Sequence, residues 1–94
     1  MKKHIGMAGG GFASAVLARE LANSGKYKVT IFEGREHIAG NCHTARDDKT
    51  NVMVHQYGPH IFNTSREDIW DYVNQYGKFG PYTNRVKAVT PKGV

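Results

Sequence analysis

The chain has 94 residues, of which 13 are Lys or Arg and 8 are Asp or Glu, giving a formal net charge of +5. This length allows one small domain, and the chain contains no run of about 18 apolar residues that could cross a membrane. The basic residues are scattered and do not alternate with aromatic ones, which argues against a nucleic-acid partner. Cys42 is the single cysteine, so we expect a cytoplasmic protein in which this side chain is partly buried.

The first segment predicts a strand followed by a glycine-rich turn. Lys3–Ala8 can form the strand, although Gly6 weakens it. Gly9 permits a tight turn, and Gly11 lets a phosphate approach the backbone where the first N–H groups of a helix face the anion. The third position of the G-x-G-x-x-G pattern is Ser14 rather than glycine. Alone, such a turn is a weak indication of a dinucleotide site.

A helix and a second strand complete this pattern. Apolar residues recur at helical spacing from Ala13 to Leu21, and we expect Gly25 to end the helix in the left-handed conformation. The β-rich residues 28–32 lead to Glu33, whose carboxylate would accept hydrogen bonds from ribose hydroxyls. The set predicts a Rossmann-like βαβ unit that binds a dinucleotide. The alternative is a βαβ unit whose glycines only make a turn and whose acid is merely solvated.

A loop and a short strand are expected in the middle of the chain. Residues 34–42 include small side chains that would let a ligand approach the backbone, and Arg35 could meet a phosphate or stack on a base. Residues 46–51 are predicted to form a polar turn. Residues 52–57 are predicted to form a strand with one apolar face, which the Gly58–Pro59 dipeptide ends.

A second helix is predicted after that break. Thr64 and Glu67 stand at capping-box spacing, apolar residues follow at helical intervals, and Gly77 can end the helix. We expect Trp70 and Tyr76 to pack in the core.

The end of the chain predicts a further strand at residues 82–90 and a hairpin turn at residues 90–94. No returning strand follows this turn. We therefore expect residues 1–94 to be the N-terminal part of an FAD/NAD(P)-binding Rossmann-like domain of a longer protein, incomplete by itself. Its unpaired strand edges could form a homo-oligomer.

The five histidines do not predict a metal site, because no pair has ligand spacing on a helix and the cysteine has no partner in register. His60 differs from the others. It follows the Gly58–Pro59 break at a strand end, where ligand sites gather in open α/β sheets.

Two strings in the chain resemble the N-terminus of UDP-galactopyranose mutases. They are R-E-H-I-A-G-N at residues 35–41 and Y-G-P-H-I-F-N-T at residues 57–64. The glycine turn and Glu33 match as well, and residues 69–74 and 82–86 continue the resemblance over essentially the whole chain. Both strings are far more specific than the glycine turn.

The resemblance implies an FAD-dependent isomerase. Such an enzyme interconverts UDP-galactopyranose and UDP-galactofuranose through a flavin N5–sugar adduct on reduced FAD, for cell-surface polysaccharide synthesis. The arginines that bind the substrate diphosphate in the family come from later sequence, so we expect the 94 residues alone to be inactive.

Carried over residue by residue, the resemblance assigns FAD contacts to Gly9, Gly11, Phe12, Ala13, Glu33, Arg35, Gly40, Asn41, His60 and Ile61. The glycine turn and the start of the helix would line the pyrophosphate, and Glu33 would hold the adenosine ribose. His60 and Ile61 would lie against the isoalloxazine. His60, near its reactive edge, would have a supporting catalytic role.

The chain departs from the family's pattern at cofactor-facing positions. Ser14 stands for the third glycine, Ala39 for the first glycine of a Gly-Gly pair, and Asn63 for a second histidine. These departures indicate a diverged homologue or a fragment no longer held to full activity. Two alternatives stay open: a part of another FAD-dependent oxidoreductase, such as an amine oxidase-like protein, and a non-catalytic Rossmann-like remnant.

Overall fold

The structure is a computed structural model that describes residues 1–94. The helices and strands, in chain order, are β1 (Lys3–Ala8), α1 (Phe12–Asn23), β2 (Tyr27–Phe32), β3 (Thr44–Arg46), β4 (Met53–His55) and α2 (Glu67–Asn74), with one turn of 3-10 helix at Gly40–Cys42. Strands β1 and β2 pair in parallel, and β3 and β4 pair antiparallel in a second sheet. The chain divides into two units, Met1–Ile61 and Phe62–Val94. Neither helix is long and apolar enough to span a bilayer.

Elements β1, α1 and β2 form the predicted Rossmann-like βαβ unit. The parallel register sets Ala8, at the end of β1, opposite Phe32, at the end of β2. The glycine turn and Glu33 follow these two ends directly, so the register brings them to the same edge of the sheet. Gly6 lies within β1, and a Cβ atom there would come within 3.4 Å of the Phe32 ring.

Helix α1 ends as the sequence predicts. Gly25 has a φ of +74°, in the left-handed region that only glycine enters without strain, and its N–H donates to the Ala22 carbonyl at 3.1 Å. The Ser24 hydroxyl donates to the Leu21 carbonyl at 2.6 Å. Together these bonds satisfy carbonyls that the last turn leaves without helical partners.

The second sheet differs from the prediction in both of its strands. Of the predicted strand at residues 52–57, Met53–His55 forms a strand and Gln56 makes an isolated bridge with Gly58, and the three residues of β3 were not predicted. A three-residue strand is too short to show an alternating pattern. The polar turn between these strands is confirmed, with the Asp47 carboxylate accepting from both the N–H and the hydroxyl of Thr50 at 2.8 Å. The Cys42 side chain is exposed, so its expected partial burial was wrong.

The predicted start of α2 was wrong. The residue before the helix is Arg66, with no side-chain cap. The Thr64 hydroxyl accepts from the Arg66 N–H at 3.1 Å, which is a local turn and not the reciprocal bonding of a capping box.

The expected core of this unit was also wrong. Val73 is buried, whereas Trp70 and Tyr76 are 37% and 53% exposed. Tyr76 lies beyond the helix, which ends at Asn74, and Gly77 is not among the left-handed glycines. The Trp70 ring contacts the Phe79 ring at 6.0 Å between centroids, and both rings stay partly exposed.

The predicted strand at residues 82–90 does not form, whereas the turn after it does. Thr90 and Gly93 exchange two backbone hydrogen bonds of 2.9 Å, and Gly93 has a φ of +109°. A strand depends on a neighbour for its backbone hydrogen bonds, but this turn is closed by its own residues. The alternating sequence therefore forms no strand without a paired neighbour.

We predict that Gly25→Ala lowers the free energy of unfolding by about 1 kcal/mol, because alanine at this positive φ is strained. The added Cβ would meet no atom within 4 Å, so the loss would come from the backbone alone. Gly34→Ala is the matched control, since Gly34 has equal space and no positive φ. Urea denaturation measures both, and equal losses in the two variants would contradict the prediction.

Candidate functional site

The glycine turn is fixed to the end of β2 by its first residue. The Gly9 N–H donates to the Phe32 carbonyl at 2.7 Å, with a φ of +92° at Gly9. Glycine adopts this conformation at little cost, whereas other residues are strained. The role predicted for Gly9 in making the turn is therefore confirmed.

Glu33 joins the turn to the residues that follow β2. Its Oε2 accepts from the Gly10 N–H at 2.5 Å, and its Oε1 accepts from the Arg35 N–H at 3.1 Å. A Cβ on Gly10 would lie 2.9 Å from Oε2, so a larger residue there would displace the end of the Glu33 side chain from this position. Sequence reasoning did not single out Gly10. The sequence signal for Gly10 was its place in the middle of three consecutive glycines, together with the acid at Glu33 after the second strand.

The Glu33 carboxylate is held in its charged form. Hydrogen bonds from the N–H groups of Arg35 and Gly10 lower the pKa of Glu33 from its ordinary value of 4.5, and burial opposes this only in part. Each carboxylate oxygen has acceptor capacity beyond one bond. The group can therefore accept from ribose hydroxyls while it keeps the turn in place.

The N-terminus of α1 has no side-chain cap and has space beside its N-cap residue. Gly11 is its N-cap, no side chain caps the helix, and its first turn contains no acid. A Cβ on Gly11 would meet no atom within 4 Å. The first N–H groups of a helix have no intrahelical acceptor and carry partial positive charge. This donor set suits an anion such as a pyrophosphate, and Phe12 and Ala13 lie in that first turn.

Residues 34–43, which we call the cofactor loop, close against the glycine turn. The Ala39 N–H donates to the Gly10 carbonyl at 2.8 Å. A Cβ on Gly40 would lie 3.2 Å from the Gly11 Cα, so backbone meets backbone at this point. Ala39 has a φ of +77°, which explains physically why glycine is usual there in the family that the chain resembles.

Arg35 and Asn41 are brought together within the cofactor loop. The Arg35 Nη1 donates to the Asn41 Oδ1 at 3.0 Å. The Arg35 guanidinium lies over the Tyr57 ring, 4.5 Å from its centroid, and the His37 Nε2 is 2.8 Å from the Tyr57 hydroxyl. Glu33, Arg35 and Asn41, all predicted site residues, thus form one connected group, and Tyr57 joins it unpredicted.

His60 and Ile61 are exposed at the end of the first unit. The His60 N–H donates to the His55 Nδ1 at 3.3 Å, and the His60 Nδ1 is 2.9 Å from the Gly58 carbonyl oxygen. These bonds order the segment locally and do not include the glycine turn. The contact of His60 and Ile61 with the isoalloxazine stays a prediction. No three His, Cys, Asp or Glu side chains are grouped so as to hold a metal ion.

Over residues 8–76 the chain matches the family described as NAD(P)-binding Rossmann-like domain. It is 55% identical over 86 residues to a probable UDP-galactopyranose mutase of Klebsiella pneumoniae and 55% identical over 80 residues to the dTDP-fucopyranose mutase of Escherichia coli. It is 41% identical over 80 residues to the UDP-galactopyranose mutase of Mycoplasma genitalium. These matches cover 92%, 85% and 85% of this chain but 22%, 21% and 20% of the relatives, so the chain spans about a fifth of their length.

We predict that the stabilising effect of Glu33 depends on pH. Because the pKa of Glu33 is lowered in the folded state, the stabilisation of the fold by its charge is present above pH 4.5. This stabilisation is lost as the pH falls through the lowered pKa. Glu33→Gln keeps the size of the side chain without the charge. The unfolding free energy of the natural chain should exceed that of the variant at pH 7, with the difference shrinking below about pH 4.5. A difference that stays constant from pH 7 to pH 3 would contradict this.

Proposed function

The chain belongs to the family of NAD(P)-binding Rossmann-like domains, and from that premise we propose that its dinucleotide is FAD and that the whole protein is a UDP-galactopyranose mutase. The resemblance read from residues 35–41 and 57–64 is confirmed by relatives that carry this name. Because the chain spans about a fifth of those relatives, the activity of the whole protein is part of the proposal.

The observation that carries the proposal is the pairing of Glu33 with the open N-terminus of α1. The carboxylate is fixed by the N–H groups of Gly10 and Arg35, and Gly11 leaves free space in front of the helix. An adenosine ribose at Glu33 would direct its pyrophosphate toward those helical N–H groups. The two features therefore suit the two polar parts of the same ligand.

The residues that would hold FAD are the ones that the family resemblance assigns. Gly9, Gly11, Phe12 and Ala13 would face the pyrophosphate, Glu33 the ribose, and Arg35, Gly40 and Asn41 the neighbouring part of the cofactor. His60 and Ile61 would contact the isoalloxazine, with His60 supporting catalysis. Reduced FAD, when bound, supplies a nucleophilic ring nitrogen for reaction at the anomeric carbon of the sugar.

The substrate proposed is UDP-galactopyranose in exchange with UDP-galactofuranose, supplying cell-surface polysaccharide. A second candidate is the corresponding pair of dTDP-fucose sugars, because the identity to the dTDP-fucopyranose mutase is the same 55%. We place the protein in the cytoplasm, whose reducing conditions suit an exposed lone thiol at Cys42.

The test of the function is an assay of the protein expressed at its natural length. It should purify with bound flavin and, after reduction with dithionite, convert UDP-galactofuranose to UDP-galactopyranose. A clear preference for dTDP-fucofuranose would favour the second candidate. Bound FAD without activity on either sugar nucleotide would favour another FAD enzyme, and a protein that binds no FAD would contradict the proposal.

Gly11→Ala separates binding from folding. Its Cβ would meet no protein atom but would enter the space proposed for the pyrophosphate. We predict that it weakens FAD binding at least about tenfold, while the free energy of unfolding without FAD falls by no more than about 1 kcal/mol.

Gly80→Ala is the matched control, since it adds a Cβ in open space without a positive φ and lies outside the site. Its FAD dissociation constant, measured by fluorescence titration, should equal that of the natural chain. Equal affinity in the Gly11 and Gly80 variants would show that the pyrophosphate does not lie at Gly11.

A further inference from the structure

Tyr57 contacts the cofactor loop from outside it. The Arg35 guanidinium lies over one face of its ring, with the Arg35 Cζ 4.5 Å from the ring centroid. The Tyr57 hydroxyl is 2.8 Å from the His37 Nε2. One side chain that follows β4 therefore holds two side chains of the loop, one by a cation–π contact and one by a hydrogen bond.

The cofactor loop has little regular structure of its own to fix its conformation. Gly40–Cys42 forms a single 3-10 turn, and that turn is preceded by Ala39 at a φ of +77°. Alanine in this region is strained by about 1 kcal/mol, so local propensity opposes the observed backbone. The loop therefore depends on contacts with its surroundings to stay closed on the glycine turn.

Tyr57 is well placed to supply such a contact, because it closely follows β4, which is paired with β3. The neighbouring Gln56 N–H donates to the His43 carbonyl at 3.1 Å, at the end of the cofactor loop. The His43 ring stacks on the His37 ring, with centroids 3.8 Å apart and planes at 10°. The Tyr57 hydroxyl bonds to the His37 ring of this stacked pair, so Tyr57 and its neighbour Gln56 contact the loop both near its start and at its end.

We propose that Tyr57 is a positioning residue for the cofactor: it holds the loop carrying Arg35, Gly40 and Asn41 against the glycine turn and raises FAD affinity without contacting FAD. The inference rests on the proposed function, since it concerns the same site. A loop that is ordered before binding has less conformational entropy to lose when the ligand binds. Without Tyr57, the loop has to become ordered when FAD binds, so the affinity for FAD falls.

The test compares Tyr57→Phe and Tyr57→Leu in the protein at its natural length. Phenylalanine keeps the ring under Arg35 and loses the hydroxyl, so the FAD dissociation constant should rise about fivefold, the effect of one hydrogen bond. Leucine loses both contacts, and the constant should rise more than tenfold. Tyr82→Phe, at a side chain 71% exposed, is the matched control and should leave it unchanged.

Two further measurements separate positioning from general stability. In a His37→Leu background, Tyr57→Phe should have no added effect on FAD affinity, because the partner of the hydroxyl is already gone. A merely structural role would lower the melting temperature without FAD in both Tyr57 variants and leave the dissociation constant as it was, which would overturn the inference. If the protein without any substitution binds no FAD, that result would overturn the proposed function and, with it, this inference.

Discussion

The Glu33 carboxylate binds backbone N–H groups from the glycine turn and from the residues after β2, and the rest of the candidate site depends on this double contact. Gly10 and Arg35 lie 25 positions apart in the chain, yet both donate to the same side chain. The parallel register of β1 and β2 makes this possible, because it ends the two strands side by side. The space beside Gly10 and the charge of one acid thus act at the same contact.

Two consequences follow for ligand binding. The turn held by Glu33 leads into α1, where a Cβ on the N-cap Gly11 would meet no atom within 4 Å, so the proposed anion site is made of backbone that Glu33 already holds in place. The Gly10 carbonyl in turn accepts from the Ala39 N–H, and this bond holds the cofactor loop against the glycine turn. Preorganisation of this kind lowers the entropic cost of binding.

Much of the first unit could be predicted from the sequence, because local chemistry determines it. Gly25 was expected at a positive φ and has one, and β1 has the predicted bounds. The contacts of Tyr57 could not be predicted, since they join residues about 20 positions apart through loops without periodicity. In the second unit, the pattern at residues 82–90 predicted a strand and the apolar character of Trp70 predicted a buried ring. Both depend on contacts with neighbouring residues, and neither forms.

A double-mutant cycle in FAD affinity tests the central claim most directly. Gly10→Ala displaces the Glu33 carboxylate through its added Cβ, and Glu33→Gln removes the charge that the Gly10 N–H binds. If the two residues act as one unit, each single variant and the double variant should weaken FAD binding by a similar factor. Losses that multiply in the double variant, or single variants that bind FAD as the natural protein does, would contradict the account.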